Sequence, residues 1–208
     1  MNIKTMIKKA QQKGDWDYAN SVLYKLCSDN PNHTSNEVIL AKIWLIGRSY
    51  AAAIERRKNS EDDINDDFYI NQVVPKIKKS KLDLEIKKCI ALKNYESVLE
   101  LHKYLTDLFF ELTELNKRSL ASKYLHFHMP DLFYIYDSRV VSAIGQLNKE
   151  LKLGNLTAEI SENNDEAYSI FYLKCKRIVE KIEKEFDIKL TCRQLDNLLI
   201  QIANEKLR

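Results

Sequence analysis

Residues 118–144 read RSLASKYLHFHMPDLFYIYDSRVVSAI, and their reading decides the fold. Leu120, Tyr124 and Phe127 recur at helical spacing, so the first part is an amphipathic helix. His126 and His128 fall near its C-terminus, where a cationic side chain suits the helix dipole. Pro130 stops the helix. A run of aromatics follows, and Asp137 then stands where a residue capping a new helix, SRVVSAI, would stand.

The same grammar extends outward in both directions. A basic helix over 3–12 is followed by one that Asp15 caps and that ends near Ser28, before DNPNH. Ser35 caps the next, which opens the apolar run VILAKIWLIGRSYAAAIERR. KNSEDDINDDF reads as an acidic loop, and helices recur near 68–78, 82–91 and 95–112. LNKELKLGNLTAEISENNDEA reads as a second loop. Tyr168, Phe171, Cys175, Ile178 and Ile182 then share a helical face, and TCRQ at 191–194 has the form of a capping box. No segment alternates as a strand would. The expectation is an all-α fold of about eight helices in one domain, 1–208. Two lobes would flank a cleft: 1–60 with the C-terminal helices, and 68–147.

Composition sets the remaining bounds. Of 208 residues 45% are hydrophobic and 30% charged, which suits a folded chain with its own core. Only 4 Gly and 3 Pro disfavour architectures built on tight turns. A net charge of +3 permits nucleic-acid binding without arguing for it. The cysteines lie far apart among apolar residues, which reads as free thiols in a reducing cytoplasm. No metal cluster, cofactor motif, signal peptide or membrane span is expected, and the chain is taken as a cytoplasmic monomer. GDWDYANSVLYKLCSDNPN looks like half of a tetratricopeptide unit, but no second copy follows.

LTELNKRSLASKYL (112–125) followed by FYIYDSRV (133–140) resembles the hairpin, second helix and aspartate segment of the helix-hairpin-helix DNA glycosylase superfamily. Ser119 stands 18 positions before Asp137, the interval between that family's lysine-or-serine position and its aspartate. The resemblance covers about 30 of 208 residues. It departs at the hairpin glycines, which Leu115, Asn116 and Lys117 replace, with Asn116 expected to take the left-handed conformation. It implies a glycosylase acting on a base flipped out of double-stranded DNA, with a degenerate helix-hairpin-helix. Asp137 would stabilise an oxocarbenium-like sugar or activate water. Serine at position 119 implies a monofunctional enzyme, with Lys117 the nearest alternative Schiff-base amine. In size and helical character the chain is similar to small antiphage glycosylases that remove glucosylated hydroxymethylcytosine from viral DNA.

For the base pocket the reading nominates Tyr134, Tyr136, His126, His128, Tyr50 and Arg48. For the DNA backbone it nominates Lys117, Arg118, Ser119, Lys123, Arg56 and Arg57, with Lys123 taken to point away from Lys117. Two alternatives remain. In a non-catalytic helical adaptor or DNA-binding protein, Asp137 is only a cap. A helical ribonuclease toxin with an Arg–His pair fits less well, since seven residues separate Arg118 from His126.

Overall fold

Local side-chain caps start most of the long helices in the structure, a computed structural model that describes residues 2–58, 64–154, 156 and 160–205. Asn2 caps α1 (Ile3–Ala10), Ser35 caps α3 (Asn36–Ser49) and Asn94 caps α7 (Tyr95–Thr113). Asp137 caps α9 (Ser138–Glu150), and Asp165 caps α10 (Glu166–Phe186). The capping box at α11 (Cys192–Glu205) is reciprocal: Gln194 N donates to Thr191 Oγ1 at 3.2 Å, and Thr191 N donates to Gln194 Oε1 at 3.0 Å. Between these lie α2 (Asp17–Asp29), α4 (Asn65–Phe68), α5 (Val74–Lys79), α6 (Leu82–Leu92) and α8 (Arg118–His128). The class is all-α, with more helices than the eight expected and no strand among the described residues.

The helix ends explain how the chain manages with so few glycines. Lys93, Glu114 and Asp187 close α6, α7 and α10 in the left-handed region, a conformation that usually falls to glycine. Between α7 and α8 this residue is Glu114, at φ 52°, and not Asn116. Asn116 instead accepts the Arg118 N–H through its side chain, at 3.0 Å, and so starts α8.

Four further expectations are corrected. Asp15 does not cap α2: Trp16 holds that position, and the Asp17 carboxylate accepts Gly14 N–H at 2.7 Å. The run after Ser35 does not continue as helix to Arg57. It passes through Gly47 and ends at Ser49; Ala51 turns left-handed, and Ala52 N–H bonds back to Gly47 O at 2.8 Å. A Cβ on Gly47 would meet Ala53 Cα at 3.3 Å, so glycine lets the chain fold back over its own helix. Of the expected acidic loop, residues 59–63 lie outside the described residues. Asn65–Phe68 is helical, buries Phe68 and runs through a π-helical turn (Tyr69–Val73) into α5. The second expected loop starts late, since α9 reaches Glu150; residues 155 and 157–159 of it are outside the described residues.

The core runs as one connected cluster from Met6 to Ile202. α8 lies at its centre, packed on α2, α3 and α7, while α11 packs on α1 and α9. Leu120, Ala121, Tyr124, Leu125 and Phe127 are all buried. His33 ties α8 to α6: its ring bonds Asp83 at 2.5 Å and the Tyr124 hydroxyl at 2.7 Å. All four cysteines are buried free thiols. No described helix is long and apolar enough to cross a membrane.

The helix-end histidines are not cationic. His126 is fully buried, and burial pushes its pKa down to about 4 against the partial support of the Phe133 carbonyl. Its Nδ1–H donates to Phe133 O at 2.7 Å, and Nε2 accepts from the Tyr24 hydroxyl at 2.6 Å. Burial drives His128 down as well. A histidine whose pKa falls on folding gives stability that is complete above its unfolded value and is lost as pH falls from about 6.5 toward 4. His126 alone should therefore cost about 2 kcal/mol between pH 7 and pH 5. Urea unfolding at both pH values should show that loss shrinking by a similar amount in His126→Gln, whatever the variant's stability at pH 7.

Candidate functional site

The site is built on a buried ammonium. Lys123 lies one turn into α8, between Leu120 and Phe127 on the buried face, with its side chain 3% exposed. Its three protons have three acceptors: Ser119 Oγ at 2.9 Å, the Tyr50 carbonyl at 3.1 Å and Asp137 Oδ2 at 3.4 Å. Three segments deliver them: the preceding turn of α8, the residue after α3 and the cap of α9. The fold-back that Gly47 permits begins at Tyr50. Burial lowers the Lys123 pKa, and Asp137 offsets part of that fall.

Asp137 has a firm seat. Oδ1 accepts the Arg139 N–H at 2.9 Å as the cap of α9, while Oδ2 faces Lys123. Burial raises the pKa of this carboxyl, but the Arg139 N–H, Lys123 and the Arg139 guanidinium more than reverse that, leaving it below its ordinary value. The carboxylate is thus ionised and oriented at neutral pH.

Asp137 and Lys123 line a cleft of about 830 Å³, within the range of ligand pockets. α2 contributes Asn20, the end of α3 contributes Tyr50, and α11 contributes Arg193 and Asp196. The Tyr50 hydroxyl donates to Asn20 Oδ1 at 2.7 Å and accepts from Arg193 at 3.3 Å. Arg193 also pairs with Asp196 Oδ2 at 2.7 Å. Trp16, Tyr18 and Val22 stand at the cleft with 77%, 83% and 51% of their surface exposed, an unusual outlay for large apolar side chains.

Of the residues nominated from sequence, Asp137, Tyr50 and Lys123 meet at this cleft, with Ser119 bonded to Lys123 behind it. Lys123 faces Asp137 from a buried position, contrary to the expectation of an exposed backbone contact. The others go elsewhere. His126 is in the core, and His128 packs on Tyr124 and His33 with ring centroids 5.0 and 5.1 Å away. Tyr134 and Tyr136 pack toward α10, against Tyr172 and Phe171. Arg48 pairs with Glu55 at 2.7 Å and lies over Trp44.

The cations nominated for DNA mostly have internal partners. Lys117 donates to the Ala53 and Arg56 carbonyls. Arg118 bonds Asp165 at 2.5 Å, tying α8 to the cap of α10. Arg57 lies 4.1 Å from the Phe68 ring centroid, and Arg56 reaches the Ala51 carbonyl at 3.4 Å. Asn20, Arg193 and Asp196 were not anticipated. For two of them a signal was available: Asn20 shares a helical stripe with Leu23 and Cys27, and Asp196 falls between Cys192 and Leu199 on the apolar face of α11.

Residues 2–132 match the family model HI_0787_N, described as an N-terminal domain, and the chain belongs to that family. The match spans α1–α8 and so includes Asn20, Tyr50 and Lys123, but it ends before Asp137, Arg193 and Asp196. No curated protein and no solved structure matches the chain.

The Lys123–Asp137 contact can be tested without a substrate. In Lys123→Met the Asp137 carboxyl should titrate at higher pH than in the wild type, as followed by carboxyl-carbon NMR. An unchanged titration would remove Lys123 from the account of the carboxylate.

Proposed function

We propose that the chain is a DNA glycosylase-like hydrolase that cleaves the N-glycosidic bond of a modified base flipped out of double-stranded DNA. Asp137 carries this reading: an ionised, doubly anchored carboxylate lines a cleft large enough for a base and its substituents. As the C1′–N bond breaks, positive charge grows on the sugar. A fixed anion stabilises that charge without reorganising at the moment of reaction. The same carboxylate takes a proton from the attacking water. The exposed Trp16 and Tyr18 suit stacking on bases at the rim. Duplex DNA would approach this face of a cytoplasmic monomer.

The enzyme is monofunctional in this reading. A Schiff base needs a free amine, and the Lys123 protons are all engaged with acceptors, while Lys117 is bound to the Ala53 and Arg56 carbonyls. The substrate class we favour is glucosylated hydroxymethylcytosine in viral DNA, which would make the activity an antiphage defence. The similarity in size and helical character to small antiphage glycosylases supports it, as do the room and polarity of a cleft lined by Asn20, Tyr50 and Arg193.

Base release should be scored as alkali-labile abasic sites in unmodified DNA, lesion-bearing DNA and DNA with hydroxymethylated or glucosylated cytosine. The wild type should act on the glucosylated duplex and leave the abasic strand unbroken, with no borohydride-trapped complex. Asp137→Asn should lose about 10²–10⁴-fold in rate. It should still fold, since asparagine also caps helices, at a cost of about 1–2 kcal/mol for the lost Lys123 contact. No base release from any duplex would sink the reading and favour a non-catalytic DNA-binding or adaptor role. Activity on RNA that depends on His126 would favour the ribonuclease alternative.

A further inference from the structure

The cleft holds a second carboxylate whose setting is opposite to that of the first. Asp196 projects from α11 and is 4% exposed. Arg193 bonds one of its oxygens at 2.7 Å, while Oδ1 has no partner among the described residues. Two donors on residues lining the same cleft are also unpartnered there, Asn20 Nδ2 and Arg193 Nε. Buried polar atoms are nearly always hydrogen-bonded. Three left open on three residues of one cleft mark where a polar ligand edge would sit.

We propose that Asp196 is the general acid of this site, giving its proton to the departing base while Asp137 serves the sugar and the water. The inference rests on the glycosylase reading. The C1′–N bond breaks with its electron pair going to the base, and the Asp196 carboxyl protonates the base as it leaves. Water adds to C1′ and gives its proton to Asp137. The products are the free base and the C1′ hydroxyl. Asp137 is left protonated and Asp196 ionised, and exchange with solvent restores both. Asn20 Nδ2 and Arg193 Nε are donors that would hold acceptor atoms of the base against Asp196.

The electrostatics agree with the geometry. Burial raises the Asp196 carboxyl to about 6; Arg193, Lys123 and Arg139 oppose that rise, and Asp137 adds to it. Tyr24, Tyr50 and Cys175 also interact with it, all three with pKa values raised by burial and so neutral near pH 7. Two carboxyl groups whose surroundings push their pKa values apart are the pattern of an acid and a base working together. Below about pH 6 Asp137 is the ionised member and Asp196 the one that holds a proton.

The test is the pH dependence of kcat/KM for base release from the panel duplex that the wild type cleaves fastest. The wild type should lose activity as pH rises above about 6, where Asp196 ionises. Asp196→Asn should abolish that alkaline limb and lower kcat by about 10²–10⁴-fold with KM little changed. Asp196→Glu should restore part of the limb, which a packing role alone would not. A flat wild-type profile across that range overturns the proposal even if the variants fail to fold. An Asp196→Asn enzyme with wild-type rate and profile, beside an inactive Asp137→Asn, overturns it and leaves the glycosylase reading standing. Absence of base release by the wild type overturns both.

Discussion

The architecture around the cleft depends on the desolvated ammonium of Lys123. Removing such a cation from water costs several kcal/mol unless its protons find acceptors. Here each acceptor comes from a different segment: Ser119 from within α8, the Tyr50 carbonyl from the end of α3, and Asp137 from the start of α9. The position of α3 relative to α9 is therefore tied to one side chain on the helix between them. Gly47 belongs to the same arrangement, because the chain beyond Tyr50 folds back across it. The constraint also acts on chemistry, since the ammonium that needs acceptors is one of the groups keeping Asp137 ionised.

Legibility in the sequence followed the range of the interaction. Ser35 and the TCRQ box are local devices, and both appear where the sequence puts them. Pro130 and the Asp137 cap are equally local. The all-α class follows from such signals summed along the chain. Helix ends without glycine were less legible: Glu114 and Lys93 turn left-handed although neither side chain favours that conformation. Asp15 and Asp17 both precede an apolar run, and only the backbone path decides which bonds the turn.

Of the residues that line the candidate cleft, Asp137, Tyr50 and Lys123 were legible in the sequence, while the other nominated aromatics and cations lie elsewhere. The sequence places Lys117, Arg118 and Lys123 as candidates for the DNA backbone, yet in the structure all three bond within the fold. The helical period explains the miss. Lys117 stands just before α8 and bonds the Ala53 and Arg56 carbonyls, while Lys123 shares the buried stripe of Leu120 and Phe127. Asp196 interrupts the apolar stripe of α11 in the same way. A charged residue in phase with a core face was the most informative signal in this sequence, and aromatic density the least, since His126 is buried in the core and Tyr134 and Tyr136 pack, half-buried, against it.

The central claim is that a fixed anion, Asp137, waits where positive charge develops on a sugar. It can be tested before the base is known, by comparing affinity for two duplexes. One carries a cationic pyrrolidine in place of the sugar, which mimics the charged transition state; the other carries a neutral tetrahydrofuran of the same shape. The account predicts that the wild type prefers the cationic duplex by roughly tenfold or more, and that Asp137→Asn loses the preference. Equal affinity of the wild type for the two duplexes would contradict it.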